Sequence, residues 1–185
     1  MDTLLPKAYL FGLTGLLLIV AFLVGRQVLK VRRDEVSLVK LEKGGANASK
    51  DSAALYELAS VQLRKRLYPQ AATTLRKALK RLDNEPGEAK ALIENALGFS
   101  LAAQEDFSSA ISHYKAAIKA KSDYPVAINN LAFAKQRLNQ EDEAKELYKE
   151  VLNIDPRNKT ATRQIKQLEK KNGQKSTGGG NGLGF

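Results

Sequence analysis

The sequence of 185 residues contains no cysteine, no tryptophan and a single histidine, His113. The absence of cysteine excludes disulfide bonds, thiolate metal ligands and a cysteine nucleophile, and it is consistent with a reducing compartment. His113 falls in a helical stretch, on the side that we expect to face solvent, and no cluster of further metal ligands accompanies it. We therefore predict an exposed histidine, no metal site and no cofactor.

Other signatures of catalysis are also missing. The glycine-rich stretch GGGNG near the C-terminus precedes no helix, so it does not have the context of a phosphate-binding loop. The acidic run 141–143 stands at the start of a predicted helix, where carboxylates interact favourably with the helix dipole. An enzyme needs acids, bases or metal ligands that converge on one point, and the sequence offers none. We predict that the chain is not an enzyme.

A long apolar run lies near the N-terminus, in residues 9–33, YLFGLTGLLLIVAFLVGRQVLKVRR. No charged residue occurs from Ala8 to Gly25. A helix of this length spans roughly 27 Å, which is close to the hydrocarbon thickness of a bilayer. The run therefore predicts a transmembrane helix over residues 4–25.

The charges around this run distinguish an anchor from a cleaved signal peptide. The positive charges that precede it are only Lys7 and the amino terminus, opposed by Asp2, whereas several basic residues follow at once, and no A-x-A cleavage pattern closes it. This asymmetry predicts an uncleaved helix whose C-terminal side faces the cytoplasm. Residues 26–50 are predicted to form a basic juxtamembrane helix and a hinge, with the basic flank in contact with anionic lipid. A secreted peptide-binding domain is the alternative, and it requires the leader to be cleaved.

The net charge of +10 is concentrated outside the centre of the chain. Residues 51–158 carry 16 basic and 15 acidic side chains, so this part is nearly neutral. A nucleic-acid-binding domain needs its basic face on the folded domain itself. We therefore expect no nucleic-acid partner.

The middle of the chain repeats. Small residues recur at Ala71, Ala110 and Ala144, and each is followed four positions later by Leu75, Tyr114 or Tyr148. Twelve positions before each alanine stand Ala59, Gly98 and Ala132. The second and third copies are 34 residues apart, whereas an insertion around Pro86 separates the first two by 39. This period and these small residues are typical of the tetratricopeptide repeat, in which two helices pack closely.

The pattern predicts an all-α fold, a right-handed α-solenoid of three tetratricopeptide repeats with a C-terminal capping helix. The predicted repeats are 52–85, 91–124 and 125–158, with helices at 52–65, 69–82, 88–103, 107–120, 124–138 and 141–153. Residues 159–171 are predicted to cap the array with an amphipathic helix. The Gly-rich tail, 172–185, is predicted to be disordered.

The exposed side of the first helix of each repeat is predicted to line a protein-binding groove. Amides can hold a ligand backbone, exposed aromatic rings can anchor apolar side chains, and arginine can bind a carboxylate. The candidates are Tyr56 and Arg64 in repeat 1, Asn95 and Phe99 in repeat 2, and Asn129, Asn130, Phe133 and Arg137 in repeat 3. Alternatively, the two phenylalanines simply pack against the next repeat. A receptor for chaperone tails is disfavoured, because Ala53, Leu92 and Val126 carry no charge.

The whole arrangement resembles the tetratricopeptide-repeat photosystem I assembly factors of cyanobacteria and algal plastids. The resemblance rests on the opening MDTLLPKAYLFGL, the flank RQVLKVRR, and the stretches ALIENALGFSLAAQEDFSSAI and AINNLAFAKQRLNQEDEAKELYKEVLNIDP. It implies a single-pass thylakoid membrane protein with a lumenal N-terminus and repeats on the cytoplasmic (stromal) side. The implied partners are photosystem I subunits or assembly intermediates. A bacterial envelope adaptor that recruits a cytoplasmic enzyme or protease remains the alternative.

Overall fold

The computed structural model describes residues 4–43, 51–82 and 87–178, and regular secondary structure in these ranges is entirely α-helical. The chain divides into two units, residues 1–45 and 46–185. The helices are α1 (Leu4–Lys43), α2 (Ser52–Arg64), α3 (Tyr68–Lys80), α4 (Gly87–Ala102), α5 (Phe107–Ala120), α6 (Pro125–Arg137), α7 (Glu141–Ile154) and α8 (Lys159–Gly178).

The first unit is a single helix of 40 residues, α1. Its segment Tyr9–Leu29 has a mean hydropathy of 2.0, is not buried inside the protein, and is long and apolar enough to cross a membrane. The hydroxyl of Thr14 donates to the carbonyl of Leu10 at 2.8 Å, so this polar group is satisfied within the helix. α1 continues through the basic stretch that follows the apolar run. Residues 44–50, the stretch GGANASK that supplies the hinge at the end of the predicted 26–50 segment, lie outside the described residues.

The second unit stacks its helices in chain order, each against the next. Pairs α2–α3, α4–α5 and α6–α7 form three tetratricopeptide repeats, and α8 packs on α7. The predicted all-α solenoid is thus confirmed, and each observed end of α2 to α7 lies within two residues of its predicted position. Residues 83–86, in the insertion between the first two repeats, lie outside the described ranges.

All three repeats turn from their first to their second helix in the same way. One residue in each turn has a left-handed backbone: Arg66 (φ 60°), Glu105 (φ 65°) and Asn139 (φ 61°). The next N–H then donates to the carbonyl five residues earlier, from Leu67 to Gln62 at 2.8 Å, Asp106 to Leu101 at 3.0 Å and Gln140 to Lys135 at 3.0 Å. These bonds satisfy carbonyls at the helix end that would otherwise lack a partner. Identical turns keep the three helix pairs alike.

Small residues allow the paired helices to approach. Ala71, Ala110 and Ala144 are all fully buried. A methyl group added at Gly98 would lie 2.7 Å from a ring carbon of Tyr114, so only glycine fits there without movement. Burial raises the pKa of the Tyr114 phenol, and it raises the pKa of Tyr148, at the equivalent place in repeat 3, to about 12.

The capping helix α8 closes the array. Ala161 and Leu168 are buried in the core cluster of repeat 3, whereas most of the other side chains described along this helix are exposed. α8 continues to Gly178, beyond the predicted end at 171, so the prediction of disorder was wrong for residues 172–178. A single glycine, Gly173, costs about 1 kcal/mol in a helix and does not end it. Residues 179–185 lie outside the described part.

Candidate functional site: a groove along the first helices of the repeats

The first helices of successive repeats contact one another, α2 with α4 and α4 with α6. In a tetratricopeptide solenoid these helices line the concave side, so side chains that point away from the partner helix face a shared groove. The eight predicted site residues all lie on α2, α4 and α6. Each of them is at least partly exposed.

Four apolar side chains are exposed at matching places on α4 and α6. They are Leu92 (38 % exposed), Phe99 (45 %), Val126 (53 %) and Phe133 (41 %). Within each helix the two members are seven residues apart, which is nearly two turns and therefore the same face. Between the helices, the members are separated by one 34-residue period. We call these four residues the apolar quartet. From the sequence, Leu92 and Val126 were recognised only as uncharged positions that disfavour a clamp for chaperone tails.

Two predicted asparagines connect α4 to α6. The side-chain amide of Asn130 donates to the side-chain oxygen of Asn95 at 2.9 Å. The amide nitrogen of Asn95 lies 3.3 Å from the hydroxyl of Tyr124, which precedes α6, and donates to it. Burial raises the pKa of the Tyr124 phenol, so it remains a neutral hydroxyl at physiological pH. The chain of three polar groups fixes the orientation of both amides beside the quartet.

Asn129 is held differently from its neighbour. Its amide nitrogen donates to the side-chain oxygen of Asn158 at 3.2 Å. The same oxygen of Asn158 accepts from the backbone N–H of Ala161 and so caps α8. The side-chain oxygen of Asn129 is buried and accepts no hydrogen bond from the described residues. Such an unsatisfied acceptor costs free energy of folding, and because it is buried it is not open to a partner in the groove.

Arg137 lies over aromatic rings at the end of α6. Its guanidinium carbon is 4.8 Å from the ring centre of Phe107 and 6.0 Å from that of Phe133. Both distances fall within the range of cation–π attraction. The rings orient the guanidinium, which itself remains exposed at the rim of the quartet.

Both phenylalanines of the quartet also pack on the preceding repeat. Phe99 meets Tyr68 edge to face at 6.3 Å between ring centres, and Phe133 meets Phe107 in the same way at 6.4 Å. Each ring thus combines a packing contact with an exposed face. The sequence-based alternative had placed these packing contacts on the next repeat, whereas they are made with the preceding one, and the binding role of the exposed faces stays a prediction.

Repeat 1 contributes less to this surface. Tyr56 is half-buried and packs against the main core cluster, and Arg64 is exposed in the last turn of α2. The positions equivalent to the quartet hold Ala53 and Ser60. The apolar part of the groove therefore belongs to repeats 2 and 3.

The prediction of a lone, exposed His113 was wrong. Its Nδ1 lies 2.7 Å from Oε2 of Glu94, and the two side chains are only 28 % and 10 % exposed. Glu94 occupies a position that is apolar in the other two repeats, Leu55 and Ile128, so it needs a partner inside the helix pair. Buried Thr74 and half-buried Leu147, which are equivalent to His113, show that this side of the second helix faces inward. The departure of Glu94 from the pattern was the signal that could have identified the pair.

The described residues contain no group of three or more histidine, cysteine, aspartate or glutamate side chains that could hold a metal ion. An all-helical stack with an exposed groove on its first helices defines the class of tetratricopeptide-repeat scaffolds, which bind protein partners such as peptides. The tetratricopeptide-repeat family profile matches residues 101–168 of this chain. This fold is typically a non-enzymatic interaction domain.

Two relatives specify the family further. The chain is 31 % identical over 170 residues to the ycf37 protein of Guillardia theta, covering 91 % of this chain and 94 % of the relative. It is 33 % identical over 154 residues to the chloroplastic tetratricopeptide repeat domain-containing protein PYG7 of Arabidopsis thaliana, covering 83 % of this chain and 51 % of the relative. The chain belongs to the ycf37 family of tetratricopeptide-repeat proteins.

A solved structure agrees on the fold. The first tetratricopeptide-repeat domain of Spaghetti (RPAP3), determined with an HSP90 peptide bound, superposes with a TM-score of 0.61 at 20 % identity. The match covers 66 % of this chain and 94 % of that domain. The likeness supports the three-repeat arrangement of helices.

Proposed function

We propose that the protein is a membrane-anchored scaffold that assists assembly or stabilisation of photosystem I by holding subunits or intermediates in its groove. The apolar quartet is the observation that carries this proposal. Solvent-exposed leucine, valine and phenylalanine side chains at a regular spacing lose contact with water when a partner covers them, which favours binding.

The groove suits a polypeptide segment with apolar side chains. The quartet would receive those side chains, and the exposed rings would act as anchors. Beside it, Asn130 would contribute its second amide hydrogen. Arg137 would bind a carboxylate at the rim. These contributions are non-covalent, in keeping with a scaffold.

The apolar helix α1 supports anchoring in a membrane. A tether confines the groove to the surface where membrane subunits emerge and so raises their effective concentration. The chloroplastic plant relative and the resemblance to photosystem I assembly factors support the thylakoid as this membrane. We place the N-terminus in the lumen and the repeats on the cytoplasmic (stromal) side, because basic residues follow α1's apolar segment.

Purification of the full-length protein from solubilised photosynthetic membranes tests the proposed role. Photosystem I subunits should co-purify with the wild-type protein, and the double variant Phe99→Ser/Phe133→Ser should lose them. Ile154→Ser is the matched control, because Ile154 is an apolar residue that is 38 % exposed but lies at the end of α7. Retention of the subunits by the double variant contradicts the groove. Recovery of only unrelated membrane proteins contradicts the photosystem I role.

Alkaline carbonate extraction tests the anchor separately. A protein that spans the bilayer stays in the membrane pellet, whereas a peripheral protein is released. Protease added to sealed, stromal-side-out vesicles should then digest the repeats. Release by carbonate contradicts the anchor, and protection from the protease contradicts the proposed orientation.

A further inference from the structure

The outer face of the capping helix α8 carries a line of basic side chains. Lys159, Arg163, Lys166 and Lys170 follow one another at intervals of four, three and four residues, which places them on one side of the helix. All four are exposed, as is Arg157 immediately before the helix. We call these five residues the cationic stripe. From Lys159 to Lys170, eleven helical steps, the stripe extends for roughly 16 Å.

The acidic residues on and near α8 pair with lysines that do not belong to the cationic stripe. Glu169, the single acidic residue of α8, lies 2.9 Å from Lys145 on α7. Lys171, also on α8, pairs with Glu141. In the part of the chain that the structure describes, no ion pair includes a member of the stripe. Within the described ranges, these five positive charges therefore form no ion pair with a carboxylate.

The stripe borders a shallow concavity of about 530 Å³. Its lining consists of the five cations together with Pro156, Thr162 and Gln167. Among the residues that the structure describes, this lining contains no aromatic ring on which a base could stack and no carboxylate. Single-stranded nucleic acids are held by such rings, so the lining lacks the groups that would favour RNA.

We propose that the cationic stripe docks α8 on an anionic lipid surface and gives the repeat unit a second contact with the membrane. This rests on the proposed anchoring of α1. The tether keeps the repeat unit near a bilayer at all times, so lipid headgroups reach the stripe at a higher effective concentration than any soluble acidic polypeptide. A straight line of lysine and arginine side chains with flexible stems suits a flat, fluid layer of phosphates.

Lysine reactivity in lipid nanodiscs tests the proposal on the full-length protein. Discs of neutral phosphatidylcholine are compared with discs that also contain about 30 % phosphatidylglycerol, and acetylation rates are read by peptide mass spectrometry. In anionic discs the rates at Lys166 and Lys170 should fall about threefold or more and recover at about 0.5 M salt, because salt screens such contacts. Lys115 and Lys119, exposed on α5, serve as internal controls and should react equally in both discs.

Charge reversal adds a second measurement. The variant Arg163→Glu/Lys166→Glu should abolish the protection of Lys170, whereas Lys115→Glu/Lys119→Glu should leave it unchanged. Equal rates at Lys170 in neutral and anionic discs overturn the proposal. Protection that appears only on addition of polyglutamate or polyuridylate also overturns it and assigns the stripe to a soluble polyanion.

Anchoring by α1 is measured independently in the same samples, as co-elution of the protein with the discs. A full-length chain that co-elutes with neutral discs is anchored by α1, whatever the lysine rates show. Failure to co-elute with neutral discs refutes the proposed anchoring, and with it the tethered docking of α8.

Discussion

The rings of Phe107 and Phe133 meet edge to face, with their centres 6.4 Å apart and an angle of 71° between their planes. Tyr68 and Phe99 repeat this geometry one repeat earlier, at 6.3 Å and 73°. In each pair, one ring lies on the second helix of a repeat and the other on the first helix of the next. The contact therefore joins neighbouring repeats and fixes the orientation of an exposed groove residue.

The two members of the first pair should differ when truncated. Phe107 is only 8 % exposed, so Phe107→Ala should lower the free energy of unfolding by about 3–5 kcal/mol. Phe133 is 41 % exposed, and Phe133→Ala should cost about 0.5–1.5 kcal/mol through the lost ring pair while reducing partner recovery. Urea unfolding followed by circular dichroism measures the first effect, and co-purification the second. Equal destabilisation by both substitutions would contradict the assignment of Phe133 to the groove.

A methyl group at Gly98 should strain the centre of repeat 2. Gly98→Ala should destabilise the protein by about 1–3 kcal/mol, because the added carbon lies 2.7 Å from the Tyr114 ring and 3.2 Å from the carbonyl oxygen of Ala110. Thermal unfolding measures the change. At an exposed helical position glycine-to-alanine would stabilise. A higher melting temperature for Gly98→Ala would show that the helices separate freely at this point.

The contact between Glu94 and His113 should give a measurable coupling energy in the free energy of unfolding. Replacing His113 with leucine leaves a buried carboxylate without its partner, which should cost about 1–3 kcal/mol. Glu94→Leu restores the residue type found in the other repeats, and the double variant should therefore recover much of the loss. A double-mutant cycle on urea unfolding gives the coupling. Additive effects of the two substitutions would mean that the 2.7 Å contact contributes nothing.

The Asp106 carboxylate at the start of α5 should make the free energy of unfolding depend on pH. The hydroxyl and the backbone N–H of Ser109 hold the pKa of Asp106 below its usual range, and its carboxylate accepts from that N–H at 3.0 Å. Because the folded state lowers this pKa, the stabilisation is complete above the unfolded value, near 3.8, and is lost as pH falls through the folded value.

Asp106→Ala removes this cap. It should cost about 1 kcal/mol at pH 7 and less at a pH below the lowered pKa of Asp106, where the wild-type carboxyl becomes protonated. Urea unfolding at a series of pH values measures the difference between the two proteins. A cost that stays constant from pH 7 to pH 2 would indicate that the charge of the cap has no role.

The helices of the solenoid were predictable because one pattern specifies them three times. The buried alanines at 71, 110 and 144 mark equivalent turns of the second helix, and each helix boundary follows from its distance to them. α8 was harder, since Gly173 resembles the start of a flexible tail, yet one glycine costs too little to end a helix.

The contacts between side chains were less accessible from the sequence. The periodicity placed Asn95 and Asn130 on the same face of the array, but their 2.9 Å hydrogen bond depends on the angle between α4 and α6. Likewise, Tyr124 lies outside the predicted groove positions and reaches Asn95 only because of the turn before α6. A repeat pattern predicts the helix face on which a residue lies. The distances between side chains across the groove depend on how the helices pack.

Site-specific photocrosslinking in intact photosynthetic cells tests the central claim, that partners bind in the groove. Benzoylphenylalanine is placed at Val126, a quartet residue that is 53 % exposed, or at Glu150, which is exposed on α7. Crosslinks to photosystem I subunits should form from position 126 and not from position 150. Crosslinks of equal yield from both positions, or crosslinks from position 150 alone, would contradict the account.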